Sequence, residues 1–97
     1  MEKLTEAQVE ASLTSLPEWQ LCGGKLIRQF RFETFRQAIS FVNMVASTAE
    51  QHDHHPDIDI RYDRVTLSLW THDAAGITQR DLRFAATLSS AHNRQTD

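Results

Sequence analysis

Twice along this chain, apolar residues spaced by two give way to apolar residues spaced by three and four, and this switch of period restricts the fold more than any other feature. Spacing by two belongs to a half-buried strand, and spacing by three and four belongs to one face of a helix. Gly23-Gly24 separates the run Trp19 to Cys22 from the run Lys25 to Phe32. Two glycines between strand-like runs predict a tight hairpin, because such turns need positive φ. Trp19, Leu21, Leu26, Phe30 and Phe32 then share one face, with Arg28 as its odd member. Gln20, Gln29 and Arg31 take the other face, together with Ile27.

From Glu33 the period lengthens. Phe35, Ile39, Val42, Ala46 and Ala49, supported by Ala38 and Val45, predict an amphipathic helix to about Glu50. Pro56 forbids its continuation past the histidines and biases His55 toward extended backbone. Ile58, Ile60 and Tyr62 then alternate with Asp57, Asp59 and Arg61, and Val65, Leu67 and Leu69 alternate with Thr66, Ser68 and Trp70. If Asp63-Arg64 is the turn, Tyr62 pairs with Val65, Ile60 with Leu67 and Ile58 with Leu69, which puts apolar residues together throughout. Asp-Arg is not a favoured turn pair, so a longer loop remains open.

Helices are expected at both ends. Thr5-Glu6-Ala7-Gln8 forms a capping box, with Leu4 and Val9 placed as a hydrophobic staple. That helix runs to about Leu13, with Leu16 behind it and Pro17 closing the segment. Thr78-Gln79-Arg80-Asp81, after the break at Gly76, resembles a second box with Asp in place of Glu. The helix it opens carries Leu82, Ala85, Ala86 and Leu88 to about Ala91, and the polar tail from His92 is expected to fray. The expected class is α+β: one four-stranded antiparallel sheet with three helices on one face, in the order α-β-β-α-β-β-α.

The 97 residues suit a single domain spanning 1–97 and leave no room for two. So small a domain gains from self-association, which buries surface that it exposes when alone. The formal charge is −3 and no Lys/Arg block tracks phosphates, so nucleic-acid binding is disfavoured. Cys22 is the only cysteine, which excludes an internal disulfide and a cysteine metal cluster. The first residues lack a signal-peptide pattern and no apolar run reaches membrane-spanning length, so a cytoplasmic protein away from membranes is expected. No P-loop, dinucleotide fingerprint or G-x-S-x-G nucleophile elbow is present, and no cofactor is expected.

Four of the five histidines lie between positions 52 and 72. Continued outward, the pairing above sets His55 opposite His72, with His54 beside them. Imidazoles gathered in one cleft supply a proton donor and a proton acceptor near neutral pH. The C-terminus of the preceding helix faces the same region and favours a protonated imidazole. Glu50 in its last turn, Asp53 after it, and Asp81 are candidates to orient or charge a histidine. Trp70 shares a strand face with His72 and is placed to line a pocket.

Each residue alone has a plainer reading: a solvated His-His loop, a strand-end His72, a capping Asp81, an exposed Glu50, a core Tyr62. His52 and His92 read as surface residues. A zinc or nickel site from His52, His54, His55 and His72 is disfavoured, because adjacent histidines rarely point at one metal and no HExxH spacing exists. The joint placement is what singles out His54, His55 and His72 as acid–base residues.

At these positions the chain resembles the pterin-4a-carbinolamine dehydratase family. The matching pattern is Glu50, then His54-His55-Pro56, an aromatic Tyr62, His72, and a downstream Asp81. Thr71-His72-Asp73, Ala75-Gly76, Arg80-Asp81 and the segment Phe30-x-Phe32 to Phe35 fit as well, so the resemblance covers about Leu4 to Ala91. It implies a four-stranded sheet with three helices, assembled as a homodimer or homotetramer. It also implies the dehydration of a 4a-hydroxytetrahydropterin to quinonoid dihydropterin, which recycles the pterin used by aromatic amino acid hydroxylases. By the family pattern His54 and His72 are the acid–base pair, His55 chiefly binds and orients the pterin, and Glu50 and Asp81 are supporting carboxylates. Pro56, Asp53 and Trp70 complete the expected surroundings. Some animal members also bind a transcription factor as a dimerisation cofactor, so a pterin-binding module acting through protein contacts is the alternative.

Overall fold

The computed structural model describes residues 2–96, with side chains to Asn93; Met1 and Asp97 lie outside the described residues. Its elements follow the expected order: α1 (Glu6–Ser12), β1 (Gln20–Cys22), β2 (Lys25–Arg31), α2 (Phe35–His52), β3 (Asp57–Arg61), β4 (Arg64–Leu69) and α3 (Gln79–Thr96). The four strands form one sheet, ordered β1-β2-β4-β3, and every neighbouring pair is antiparallel.

The local signals act as expected at the first helix and the first hairpin. The Thr5 side chain accepts from the Gln8 amide, and the Gln8 side chain accepts from the Thr5 amide in return. Gly23 and Gly24 both take positive φ, 58° and 77°, and pair Cys22 with Lys25. On β2 and β4 the partners Leu26–Leu69, Arg28–Leu67 and Phe30–Val65 face the core, while Gln29–Thr66 and Arg31–Arg64 face away. Ala38, Phe41, Val45 and Ala49 of α2 and Leu82, Phe84, Ala85 and Leu88 of α3 complete the core, with Val9 of α1.

Arg28, the misfit on the buried face, is accommodated locally. Its guanidinium donates to Ser89 Oγ at 3.0 Å, lies 4.1 Å from the Phe30 ring centre, and faces Glu18 at 3.8 Å. Trp19 Nε1 donates to the same Ser89 oxygen.

Several expectations need correction. The second hairpin turns at Tyr62-Asp63, not Asp63-Arg64, so Ile60 pairs with Val65 and Ile58 with Leu67. A slip of two preserves which face each side chain occupies, so alternation alone could not exclude it. The turn is fixed from outside: the Phe32 amide donates to the Asp63 carbonyl, and the Asp63 carboxylate lies between Arg31 and Arg64. Tyr62 accepts a left-handed φ of 55° as a result, and at 69% exposure it is not the core residue expected.

The buried stripe of α2 is also rotated. Phe41 is wholly buried, whereas Phe35 is half exposed and Ala46 lies in solvent. A core residue contacts the sheet only where the helix crosses it, and that crossing selects Phe41, which packs on Phe30 at 4.5 Å between ring centres.

Two further corrections concern the C-terminus. The final helix continues past Ala91 to Thr96. His92 is therefore not a surface residue: its ring meets Phe30, Phe32 and Phe41 edge-on, at 5.0, 5.5 and 5.6 Å between centres.

No helix among the described residues is long and apolar enough to cross a membrane.

Candidate active site

The histidines follow the end of α2, and the helix terminus sets their directions. Asp53 takes the left-handed conformation, φ 49°, and its amide closes on the Ala49 and Glu50 carbonyls. The His54 amide also returns to the Ala49 carbonyl. This turn reverses the chain, as a helix C-cap does. Pro56, half-buried, then starts it toward β3. Arg80 locks the turn from the other side, donating to the Asp53 carbonyl at 2.5 Å and the His52 carbonyl at 3.4 Å. The beginning of α3 is thereby tied to the end of α2.

That tie brings His54 to Asp81. The His54 Nε2 and Asp81 Oδ1 atoms are 2.6 Å apart, with His54 8% exposed and Asp81 fully buried. Asp81 also performs the capping role read from the sequence, since its Oδ2 accepts from the Thr78 amide at 2.9 Å. The same Oδ2 accepts from the Thr71 hydroxyl at 2.8 Å. Two donors thus converge on Oδ2, and Oδ1 is left facing His54.

His55 points the other way. Its Nε2 lies 2.6 Å from Glu50 Oε2, and both side chains are exposed. The spacing from Glu50 to His55 crosses the reversal after α2, which is why an acidic residue in an unfavourable place on the helix dipole finds a use. His72 starts a short 3₁₀ turn, His72–Ala74, closed by the bridge between Thr71 and Gly76. Its ring lies on Trp70, 4.0 Å between centres and tilted by 35°. Lys25 Nζ sits 5.2 Å from the Trp70 ring centre.

The structure thus groups the named residues into three pairs: His54 with Asp81, His55 with Glu50, His72 with Trp70. Among the described residues no hydrogen bond, ion pair or ring contact joins one of these histidines to another. The ladder that was to set His55 against His72 stops at Asp57–Ser68. Extended by two residues in its actual register, it aligns His55 with Trp70, the residue under His72. Asp53 contributes its backbone to this region, through its amide and its carbonyl.

Sequence reasoning missed Thr71 and Thr78 as partners of Asp81, and Arg80 as the clamp; Thr71 and Arg80 stood only in motif strings, and Thr78 only as a cap. Two surface concavities, about 470 Å³ beside Gly23 and Gly24 and about 940 Å³ at the start of α2, include none of the histidines. Among the described residues no three His, Cys, Asp or Glu side chains cluster as metal ligands.

Chemically, the arrangement offers one buried imidazole held by a carboxylate, one exposed imidazole held by another, and a third stacked on an indole. A carboxylate bonded to one ring nitrogen fixes the tautomer and leaves the other nitrogen to act.

Known proteins share this chain's sequence and fold. Residues 2–91 match the family model for pterin 4 alpha carbinolamine dehydratase. A provisionally named pterin-4-alpha-carbinolamine dehydratase of Picosynechococcus sp. is 47% identical over 85 residues, which are 88% of this chain and 92% of that one. A Brucella melitensis structure described as a transcriptional coactivator/pterin dehydratase superposes with a TM-score of 0.87 at 33% identity, covering 92% of this chain and 97% of that one. A pterin dehydratase-like protein identified as a RuBisCO assembly factor in the alpha-carboxysome shares the fold, with a TM-score of 0.66 at 22% identity over 75% of this chain and 87% of its own. With nearly its whole length matched, this chain belongs to the pterin 4 alpha carbinolamine dehydratase family.

Proposed function

We propose that this protein is a hydro-lyase that dehydrates 4a-hydroxytetrahydropterin to quinonoid dihydropterin, with His54, His55 and His72 as its acid–base and binding residues. The observation that carries the reading is the pair of carboxylate-held imidazoles, His54 on Asp81 and His55 on Glu50, at adjacent positions but in opposite environments. In the reaction the C–O bond at the carbinol carbon breaks and the departing oxygen takes a proton, leaving as water. A ring N–H gives up its proton, and its electron pair forms the new C=N bond. An imidazolium and a neutral imidazole perform the two transfers with no bound metal or cofactor. His54 and His72 are assigned to them, and His55, exposed and tethered to Glu50, binds and orients the pterin. Trp70 beneath His72 offers a flat apolar surface to a bicyclic ring. The product re-enters the pterin cycle that serves aromatic amino acid hydroxylation.

The working form is a homo-oligomer. β3 is a sheet edge, and Ile58, Ile60 and Tyr62 along it are 39%, 36% and 69% exposed. Pairing two β3 strands antiparallel about Asp59 sets Asp57 of each against Arg61 of the other, and Ile58 against Ile60. A cytoplasmic setting suits the exposed, unpaired Cys22.

The test follows the absorbance of a 4a-hydroxytetrahydropterin as it dehydrates. Acceleration by catalytic amounts of protein supports the reading. If folded protein binds the pterin and gives no acceleration, the chain is a pterin-binding module acting through protein contacts.

A further inference from the structure

We propose that Thr71 and Thr78 form a hydroxyl relay that positions Asp81, and through it holds the His54 imidazole with its proton on Nε2 and its basic nitrogen, Nδ1, free for substrate. The inference rests on the reading of His54 as an acid–base group and deepens it by naming what sets its tautomer.

An Asp at the third position of a helix needs only one oxygen for the cap, and such carboxylates stand at the surface as a rule. Asp81 is wholly buried, and both of its oxygens are used. The donors can be followed in order. The Arg80 amide donates to Thr78 Oγ1 at 3.2 Å. Thr78 and Thr71 share a hydrogen bond of 2.8 Å between their hydroxyls. Thr71 Oγ1 donates to Asp81 Oδ2. Each hydroxyl has one proton, so a Thr71 proton committed to Asp81 obliges Thr78 to be the donor between the two. The chain therefore points one way, from the α3 amide through two hydroxyls into Oδ2.

With Oδ2 occupied by Thr71 and the Thr78 amide, Oδ1 is left for His54 Nε2, which must carry the proton because the carboxylate has none to give. Thr71 is 5% exposed and Thr78 fully buried, so water does not substitute for either hydroxyl without rearrangement. The two threonines come from opposite sides of the Thr71–Gly76 bridge, so the loop bearing His72 and the helix start bearing Asp81 are joined through them. Thr71 and Thr78 are positioning residues: their hydrogen bonds act on His54 through Asp81.

The experiment is nitrogen NMR of the intact protein labelled with ¹⁵N at its histidine rings, with His54 assigned by comparison with His54→Gln. Wild type is read at about pH 8, above the ordinary histidine range, alongside Thr71→Val, Thr78→Val and Thr71→Ser. The expected wild-type spectrum has a protonated Nε2 and a bare Nδ1 on His54. Thr71→Val, which keeps shape and removes the donor, shifts His54 toward a mixture of tautomers. In the dehydration assay it lowers kcat about tenfold or more while KM stays within about twofold, as a small misplacement does. Thr71→Ser restores both the spectrum and the rate.

A wild-type His54 protonated on Nδ1 overturns the proposal without need of any variant. So does a Thr71→Val spectrum with the His54 tautomer unchanged. A tautomer that responds to Thr71→Val in a protein that does not accelerate dehydration upholds the relay and sinks the dehydratase reading. Wild-type acceleration with an unresponsive tautomer does the reverse.

Discussion

His54 and Asp81 meet at 2.6 Å almost wholly out of solvent, although 27 residues separate them in the chain. The loop after one helix and the first turn of another must both be in place before the pair exists. Asp81→Asn keeps the volume and removes the second acceptor. Its amide must turn N–H groups toward His54 or toward Thr71 and the Thr78 amide, leaving a buried donor without a partner. The expected cost is about 1–3 kcal/mol of stability, measured by urea unfolding. Because the His54 tautomer is lost as well, kcat should fall about a hundredfold or more, the range of acid–base catalysis.

Glu50 and His55 make an equally short contact in a different medium. Both side chains are more than half exposed, at 77% and 59%. Exposed pairs contribute at most about 1 kcal/mol, so Glu50→Gln should leave the unfolding midpoint nearly unchanged. Loss of the tether should raise KM more than it lowers kcat, since His55 is assigned to binding. Steady-state kinetics over a range of pterin concentrations separates the two effects.

The ring of His92 supplies a pH dependence unrelated to catalysis. Burial lowers its pKa below the ordinary histidine value, and the Arg28 guanidinium lowers it further. The folded chain then binds fewer protons at this ring than the unfolded chain does. Stability is therefore undiminished above the unfolded value, about 6.5, and falls as pH drops through the window below it. His92→Leu should unfold with a midpoint that declines less than the wild-type midpoint between about pH 7 and 5.

The edge of the sheet makes the fourth prediction. Ile60→Lys places a charge on the exposed edge strand β3, where charges block strand addition. Sedimentation should show the wild type as an oligomer and the variant shifted toward monomer, with helix and sheet content preserved. A wild type that sediments as a monomer at all concentrations would remove the oligomer from the account.

Much of this was legible in the sequence, and the misses share a cause. Faces followed from parity on β2 and β4, where Leu26, Phe30, Val65 and Leu67 are buried as their alternation requires, but not burial on β3, where Ile58 and Ile60 stay exposed. Caps followed from local spacing, as at Thr5 and Gln8. Register did not, because shifting β3 by two changes every partner and no face. The turn at Tyr62-Asp63 is chosen by β2, through Phe32 and Arg31, and that strand lies outside the hairpin's own sequence. Phe41 was missed for the same reason, since α2 carries two overlapping apolar stripes and only its crossing over the sheet selects between them. His92, polar and near the end of the chain, gave no sign that three phenylalanines would enclose it. At the site, Glu50, His55 and Asp81 were legible by type and spacing. The threonines behind Asp81 were not, because a hydroxyl beside a helix start reads equally well as a cap.

In the proposed reaction the carboxylate-held His54 and the indole-stacked His72 perform the two proton transfers of pterin dehydration. Its most direct test is the absorbance assay of 4a-hydroxytetrahydropterin with wild type, His54→Ala and His72→Ala, each shown to be folded by circular dichroism. Wild type should accelerate the reaction strongly, and each variant should lose about a hundredfold or more. Either variant retaining near wild-type turnover would contradict it.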